Sequence, residues 1–226
     1  MSLPISAPIA IERTGTERAT LVRRTYALVF VSVIVTIIGS AFGMTQPALM
    51  GTVAAHPFLT FFMWMIPLFL AQRWSREFPR NIALTFVSTF VIGVWLSPLL
   101  FVLNRTQPGI VGQAGVLTLS TFGVLSLYAT FSKRDFSAWG GFFVIGLWVL
   151  IATSILNIFF RNPTADLWLA GGTVLVFGGL LVFDTWRIVR SNQFGAEDYV
   201  VAAVQIYLDL LNIFLAILRL LGGNRK

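Results

Sequence analysis

No cysteine occurs in this chain, and charged side chains are scarce. The first absence rules out a disulfide framework and a thiolate metal site, and leaves the compartment undecided. The second is more restrictive. Charged residues make up 11% of the 226 and hydrophobic ones 57%, with a mean hydropathy of +0.83. Soluble domains carry about 25% charge. So little polar side chain cannot coat a water-facing surface, and lipid is the solvent that suits the composition. Nor is a cleavable signal peptide evident. The first 20 residues are polar, with Glu12, Arg13, Glu17 and Arg18. The apolar run that follows is long enough to span by itself, so it reads as a retained first helix.

What the chain does have is a series of long apolar runs. A segment of about 20 residues crosses the hydrocarbon core. Six such segments lie at 26–43, 55–72, 82–103, 110–131, 138–160 and 167–186. A seventh, 198–220, is interrupted by Gln205, Asp209 and Asn212. Short punctuation such as Thr45-Gln46-Pro47 and Asn162-Pro163-Thr164 separates them and leaves no room for a soluble domain. The expected architecture is an all-α membrane protein. A polar cytoplasmic segment, 1–20, precedes one seven-helix transmembrane domain, 21–226.

The net charge of +7 does not point to nucleic acid, because the basic residues fall between apolar runs and not along one polar face. Arg13, Arg18, Arg23, Arg24, Arg73, Arg76, Arg80, Lys133, Arg134, Arg187 and Arg190 fall on one side of the expected membrane. Arg105 and Arg161 fall on the other. The bias of Lys and Arg toward cytoplasmic loops places the N-terminus in the cytoplasm. Arg219, Arg225 and Lys226 would favour a re-entrant last segment, whereas its length favours a span. Early helices orient a topology more than late charge does, so a span is expected. Trp74, Trp139, Trp168 and Trp186 sit near expected helix ends, as interfacial anchors do. Gly39 and Gly43 form a GxxxG pair that permits close helix contact.

Seven of the nine acids lie in termini or loops. Asp184 and Asp209 fall inside expected helices, where an Asp at mid-bilayer costs about 2.5–3.5 kcal/mol and marks a functional position by default. Around Asp209, the residues Asp198, Ala202, Gln205, Asp209, Asn212, Ala216 and Arg219 recur at alternating spacings of four and three, one continuous helical stripe. Lipid cannot satisfy such a seam, so the last helix should pack inside the bundle. A hairpin centred between Ala196 and Glu197 would bring Asp184 and Asp209 level, although the expected helix ends leave them roughly 9 Å out of register at 1.5 Å per residue. If the two meet, desolvated carboxylates cannot both ionise cheaply, and the pair would share a proton. Losing it leaves two anions that need a cation, either an arginine or a hard metal such as Ca²⁺. Arg187 and Arg219 are candidate counter-charges. The plainer reading is an interfacial ion pair of Asp184 with Arg187, and an Asp209 bonded to Gln205, Asn212 or a neighbouring hydroxyl. His56, the lone histidine, reads as a helix-entry residue before Pro57.

The run from Tyr207 through Asp209, Asn212 and Arg219 to Gly222 resembles the last helix of the Bax inhibitor-1 (transmembrane BAX inhibitor motif) family. Phe183-Asp184-Thr185 resembles that family's penultimate-helix motif. The stretch from Gly123 through Tyr128 to Ser137 resembles the fourth-helix ending of its bacterial members. The resemblance implies a seven-helix fold with the last helix central. It also implies a pH-sensitive calcium leak controlled by Asp184 and Asp209. A latch arginine near the second helix maps to Arg73, and the last-helix arginine to Arg219. One departure stands out: the glutamate that some members carry in the second helix has no counterpart between Pro57 and Ala71.

Three functions compete at this stage. The leading one is a passive leak for Ca²⁺ or H⁺ in a bacterial inner membrane, without resident cofactor and without enzymatic activity. The second is a non-conducting regulator of other membrane proteins, since some bacterial relatives are associated with a membrane protease. The third is an intramembrane aspartyl protease. It is disfavoured, because Asp184 follows Phe183 and Asp209 follows Leu208 in place of that class's usual contexts, and Pro47-Ala48-Leu49 comes in the wrong order.

Overall fold

The computed structural model describes residues 15–160 and 162–223; Glu12, Arg13, Arg161, Arg225 and Lys226 lie outside them. The described residues form eight helices and no strand: α1 (Gly15–Met44), α2 (Pro47–Ala55), α3 (Pro57–Arg73), α4 (Arg80–Thr106), α5 (Ile110–Phe131), α6 (Trp139–Phe160), α7 (Pro163–Val189) and α8 (Tyr199–Gly223). α1 therefore begins inside the segment expected to be a polar leader. The punctuation marks the helix starts. Pro47, Pro57 and Pro163 each open a helix, where the missing N–H would have had no partner. Asn162 caps α7, its Oδ1 accepting from the amides of Thr164 and Ala165 at 2.9 and 3.3 Å. Gly109 precedes α5 at φ 85°, a left-handed conformation that suits glycine.

Six helices are long and apolar enough to cross a bilayer, and a seventh span requires α2 and α3 together, which are bent by 99°. The expected second span, 55–72, is recovered as α3, but ahead of it the sequence reading leaves out the nine-residue helix α2, which opens at Pro47. The chain breaks between the two. The cause lies at His56. A residue before proline is pushed out of the α region, and His56 sits at φ −128°, ψ 58°. α3 alone has 17 residues, about 25 Å of rise, against a core of about 30 Å. α8 is one unbroken helix of 25 residues, long and apolar enough to span.

The packing is that of a bundle in lipid. Phe58, Trp148, Phe159, Phe160 and Leu175 are among many large apolar side chains that face outward, while Thr25, Ser32, Ser88, Thr89, Ser97 and Thr118 are buried. Several buried hydroxyls are tied to the carbonyl a turn back, as Thr85 is to Asn81 and Thr118 to Ala114, whereas those of Thr25 and Ser126 have no partner among the described residues. α8 is central, touching α1, α3, α4, α5 and α7, whereas α6 packs on α7 alone among the described helices. α1 lies most extensively against α4. The Gly39/Gly43 pair is what permits it. A Cβ on Gly39 would collide with the carbonyl oxygen of Phe90, and one on Gly93 of α4 with that of Thr36. Small residues thus face small residues and the backbones nearly touch.

Candidate functional site

Asp184 stands on α7 five residues before Val189, and Asp209 on α8 ten residues after Tyr199. That leaves α8 about 7 Å longer on this side at 1.5 Å per residue. The excess reaches past the end of α7 to the connection between α3 and α4. There the Nε and Nη2 of Arg76 both donate to Oδ1 of Asp198, at 3.0 and 2.9 Å. Asp198 also accepts from the amide of Gly195 at 2.8 Å, tightening the turn into α8. The register gap anticipated from the sequence is closed in this way, and the carboxyl groups of Asp184 and Asp209 lie within hydrogen-bond reach of each other.

Both acids are buried, Asp184 at 8% exposure and Asp209 at 4%. Their environments differ. Asp184 has a cation: Nη1 of Arg187, one turn on, donates to its Oδ1 at 3.1 Å. Arg187 is held in turn by Oε1 of Gln193 at 2.9 Å and by the rings of Phe183 and Phe194. Asp209 has no such partner, and its Oδ2 is buried without a hydrogen-bond donor. One turn earlier on the same face, Oε1 of Gln205 is also buried and unmet. Two carboxylates are both acceptors, so a bond between them exists only when one carries a proton.

Hydroxyls fix the helices around the pair. Tyr26 of α1 bonds Thr185, the neighbour of Asp184, at 3.2 Å. Thr36 of α1 bonds the hydroxyl of Tyr207, two residues from Asp209, at 2.7 Å, and donates to the carbonyl of Thr89 on α4 at 3.1 Å. α1, α4, α7 and α8 are thereby tied at the level of the acids.

Of the residues singled out from the sequence, Asp184, Asp209 and Arg187 come together. Gln205 lies beside them, while Asn212 is half-buried and spends its Nδ2 on the carbonyl of Leu208 at 2.8 Å. Arg73 is exposed and makes no ion pair with either aspartate. Arg219 pairs with Asp166 at 3.5 Å, ten residues along α8 from Asp209 and toward its other end. It therefore cannot be the counter-charge of the pair. The Arg76–Asp198 tie was not anticipated. Its one signal was that Asp198 begins the polar stripe. Among the described residues no group of three or more His, Asp or Glu side chains gathers in metal-ligating geometry. The basic residues do gather at one end of the bundle: Arg24 lies over the ring of Tyr199, and Arg190 donates to the carbonyl of Thr130 at 3.2 Å.

The family model described as "Inhibitor of apoptosis-promoting Bax1" matches residues 18–226. The chain is 31% identical to Bax inhibitor 1 of Schizosaccharomyces pombe, over 96% of this chain and 81% of that protein. It is 30% identical to protein lifeguard 4 of Mus musculus, over 92% of this chain and 87% of that one. An uncharacterized protein of Campylobacter jejuni is 32% identical, over 92% and 90% respectively.

Proposed function

This chain belongs to the Bax inhibitor-1 family of multi-pass membrane proteins, and from that premise we propose that it is a pH-sensitive leak for calcium or another small cation, gated by Asp184 and Asp209. One observation carries the reading: two carboxyl groups in hydrogen-bond reach inside the bundle, with Arg187 on one and no donor on the other. With a shared proton, the carboxyl of one acid donates to the carboxylate of the other and ties α7 to α8. Without it, two anions face each other across a poorly solvated gap, with a single cation that pairs with Asp184. The contact between the helices then weakens, or a mobile cation takes the proton's place.

Calcium prefers carboxylate oxygen but takes six to eight ligands, and two carboxylates offer four at most. Water must supply the rest, which suits an ion in passage better than a resident one. The basic end of the bundle is read as cytoplasmic under the positive-inside bias, and the bacterial relatives favour a bacterial inner membrane.

The test is calcium flux from dye-loaded proteoliposomes across a pH series. Wild type is expected to leak in a pH-dependent manner. In D209N and D184N the amide donates at every pH, so their flux should be flat with pH. Equal pH-dependent flux in all three proteins removes the aspartate mechanism. Vesicles no leakier than protein-free ones at any pH would turn the assignment to a non-conducting regulator of other membrane proteins.

A further inference from the structure

At the basic end, well apart from the aspartate pair, lies a cavity of about 560 Å³ between α1, the α3–α4 connection, α4 and the start of α8. Its lining is of two kinds. Arg24, Arg76, Glu197 and Tyr199 supply charge and a hydroxyl, whereas Leu28, Val31 and Phe86 supply apolar wall, with Leu28 buried and Val31 open to the surroundings of α1. From Arg24 to Val31 is seven residues of helix, about 10 Å. That is the distance from headgroup level into the acyl region, at the point where the apolar part of α1 begins.

The charges at the mouth are of both signs. Arg24 lies 5.7 Å over the ring of Tyr199 and makes no ion pair among the described residues. Arg76 spends two of its N–H donors on Asp198, out of the five a guanidinium carries. Glu197 lies near enough to act on Arg76 electrostatically, yet makes no ion pair there. A space of this size has room for about 19 waters at roughly 30 Å³ each, but Leu28, Val31, Ile82 and Phe86 offer them nothing to bond. A ligand that satisfies every part of the lining has an anionic group, an ammonium group and an aliphatic chain.

We propose that this cavity is a binding site for one aminophospholipid molecule. Its phosphate sits between Arg24 and Arg76, and its protonated primary amine meets Glu197. The upper part of one acyl chain runs between α1 and α4 along Leu28, Val31 and Phe86. A headgroup with net negative charge would set its remainder against Glu197. A choline headgroup has no N–H to donate to that carboxylate.

The experiment is native mass spectrometry of delipidated protein in detergent. It is mixed with equimolar phosphatidylethanolamine, phosphatidylglycerol and phosphatidylcholine of identical chains. Wild type should retain phosphatidylethanolamine several-fold over the other two. R24Q should lower that retention several-fold. E197Q should abolish the preference over phosphatidylglycerol, and V31W should reduce all three alike. Arg24 and Glu197 are exposed, so their variants fold, which circular dichroism checks. Equal retention by R24Q and wild type overturns the proposal, as does retention of phosphatidylglycerol equal to that of phosphatidylethanolamine in wild type. Displacement of the lipid by millimolar inorganic phosphate, with no effect of V31W, reduces the site to a simple anion site and overturns it too.

Discussion

Replacing Gly93 by alanine probes the contact on which the bundle closes. A Cβ there would meet the carbonyl oxygen of Thr36, with the Ser40 nitrogen at 2.7 Å and the Gly39 carbonyl carbon at 3.0 Å. All three are backbone atoms, so no side chain can rotate away and α1 must move off α4. Overpacking of this kind costs about 1–3 kcal/mol. The shift also strains the bond from Thr36 to the carbonyl of Thr89; such interhelical bonds contribute about 0.6 kcal/mol on average in membranes. Alanine returns about 1 kcal/mol through its better helix propensity. G93A should therefore lose roughly 0.6–2.6 kcal/mol. Gly123 of α5 has nothing within 4 Å of the same added atom, so G123A should gain roughly 0.5–1 kcal/mol. Reversible unfolding in mixed micelles, titrated with SDS and followed by circular dichroism, reads both. Equal midpoints for G93A and G123A would refute the close-contact argument.

Substitutions at Arg187 and Tyr207 probe the surroundings of the acids. R187Q strips Asp184 of its cation; side-chain exposures of 21% and 11% put the loss between a surface and a buried pair, on the order of 1–3 kcal/mol. R187K should recover only part of it in the same titration, because an ammonium lacks the fork that reaches both Asp184 and Gln193. Y207F removes the bond to Thr36 and should cost about 0.6 kcal/mol, with 1.7 as the upper bound for such bonds. In a double-mutant cycle with T36V, a coupling near zero would show that the bond contributes nothing.

Much of this arrangement is visible in the residues themselves. Seven apolar runs, a polar stripe on the last of them and two intramembrane acids suffice to place α8 at the centre and to suspect the pair. The parts that stay hidden depend on partners distant in the chain. Gly39 and Gly43 look ordinary until Gly93 and Ser97 of α4 are seen opposite them. Apolar content continues from Pro47 to Ala71 with little interruption, so only the conformational demand of Pro57 on His56 reveals the break between α2 and α3. Arg219 shares the periodicity of the aspartates, but periodicity records the face of a helix and not the depth along it. Asp198 reads as a loop acid, although its bond to Arg76 fixes the start of α8 beyond the end of α7. Tyr26 and Thr36 gave no sign at all, because a hydroxyl in an apolar run has no periodicity of its own.

All of the functional reading rests on one proton held between two carboxyl groups. Infrared difference spectroscopy of the protein in lipid, across a pH titration, observes that proton directly. A protonated-carboxyl band is expected in wild type at near-neutral pH, where free carboxylates show none; D209N should remove it, and D184N should shift it, because the remaining acid no longer shares its proton with a second carboxylate. A band that is absent from wild type at that pH, that survives D209N, or that D184N leaves unshifted would contradict the shared proton.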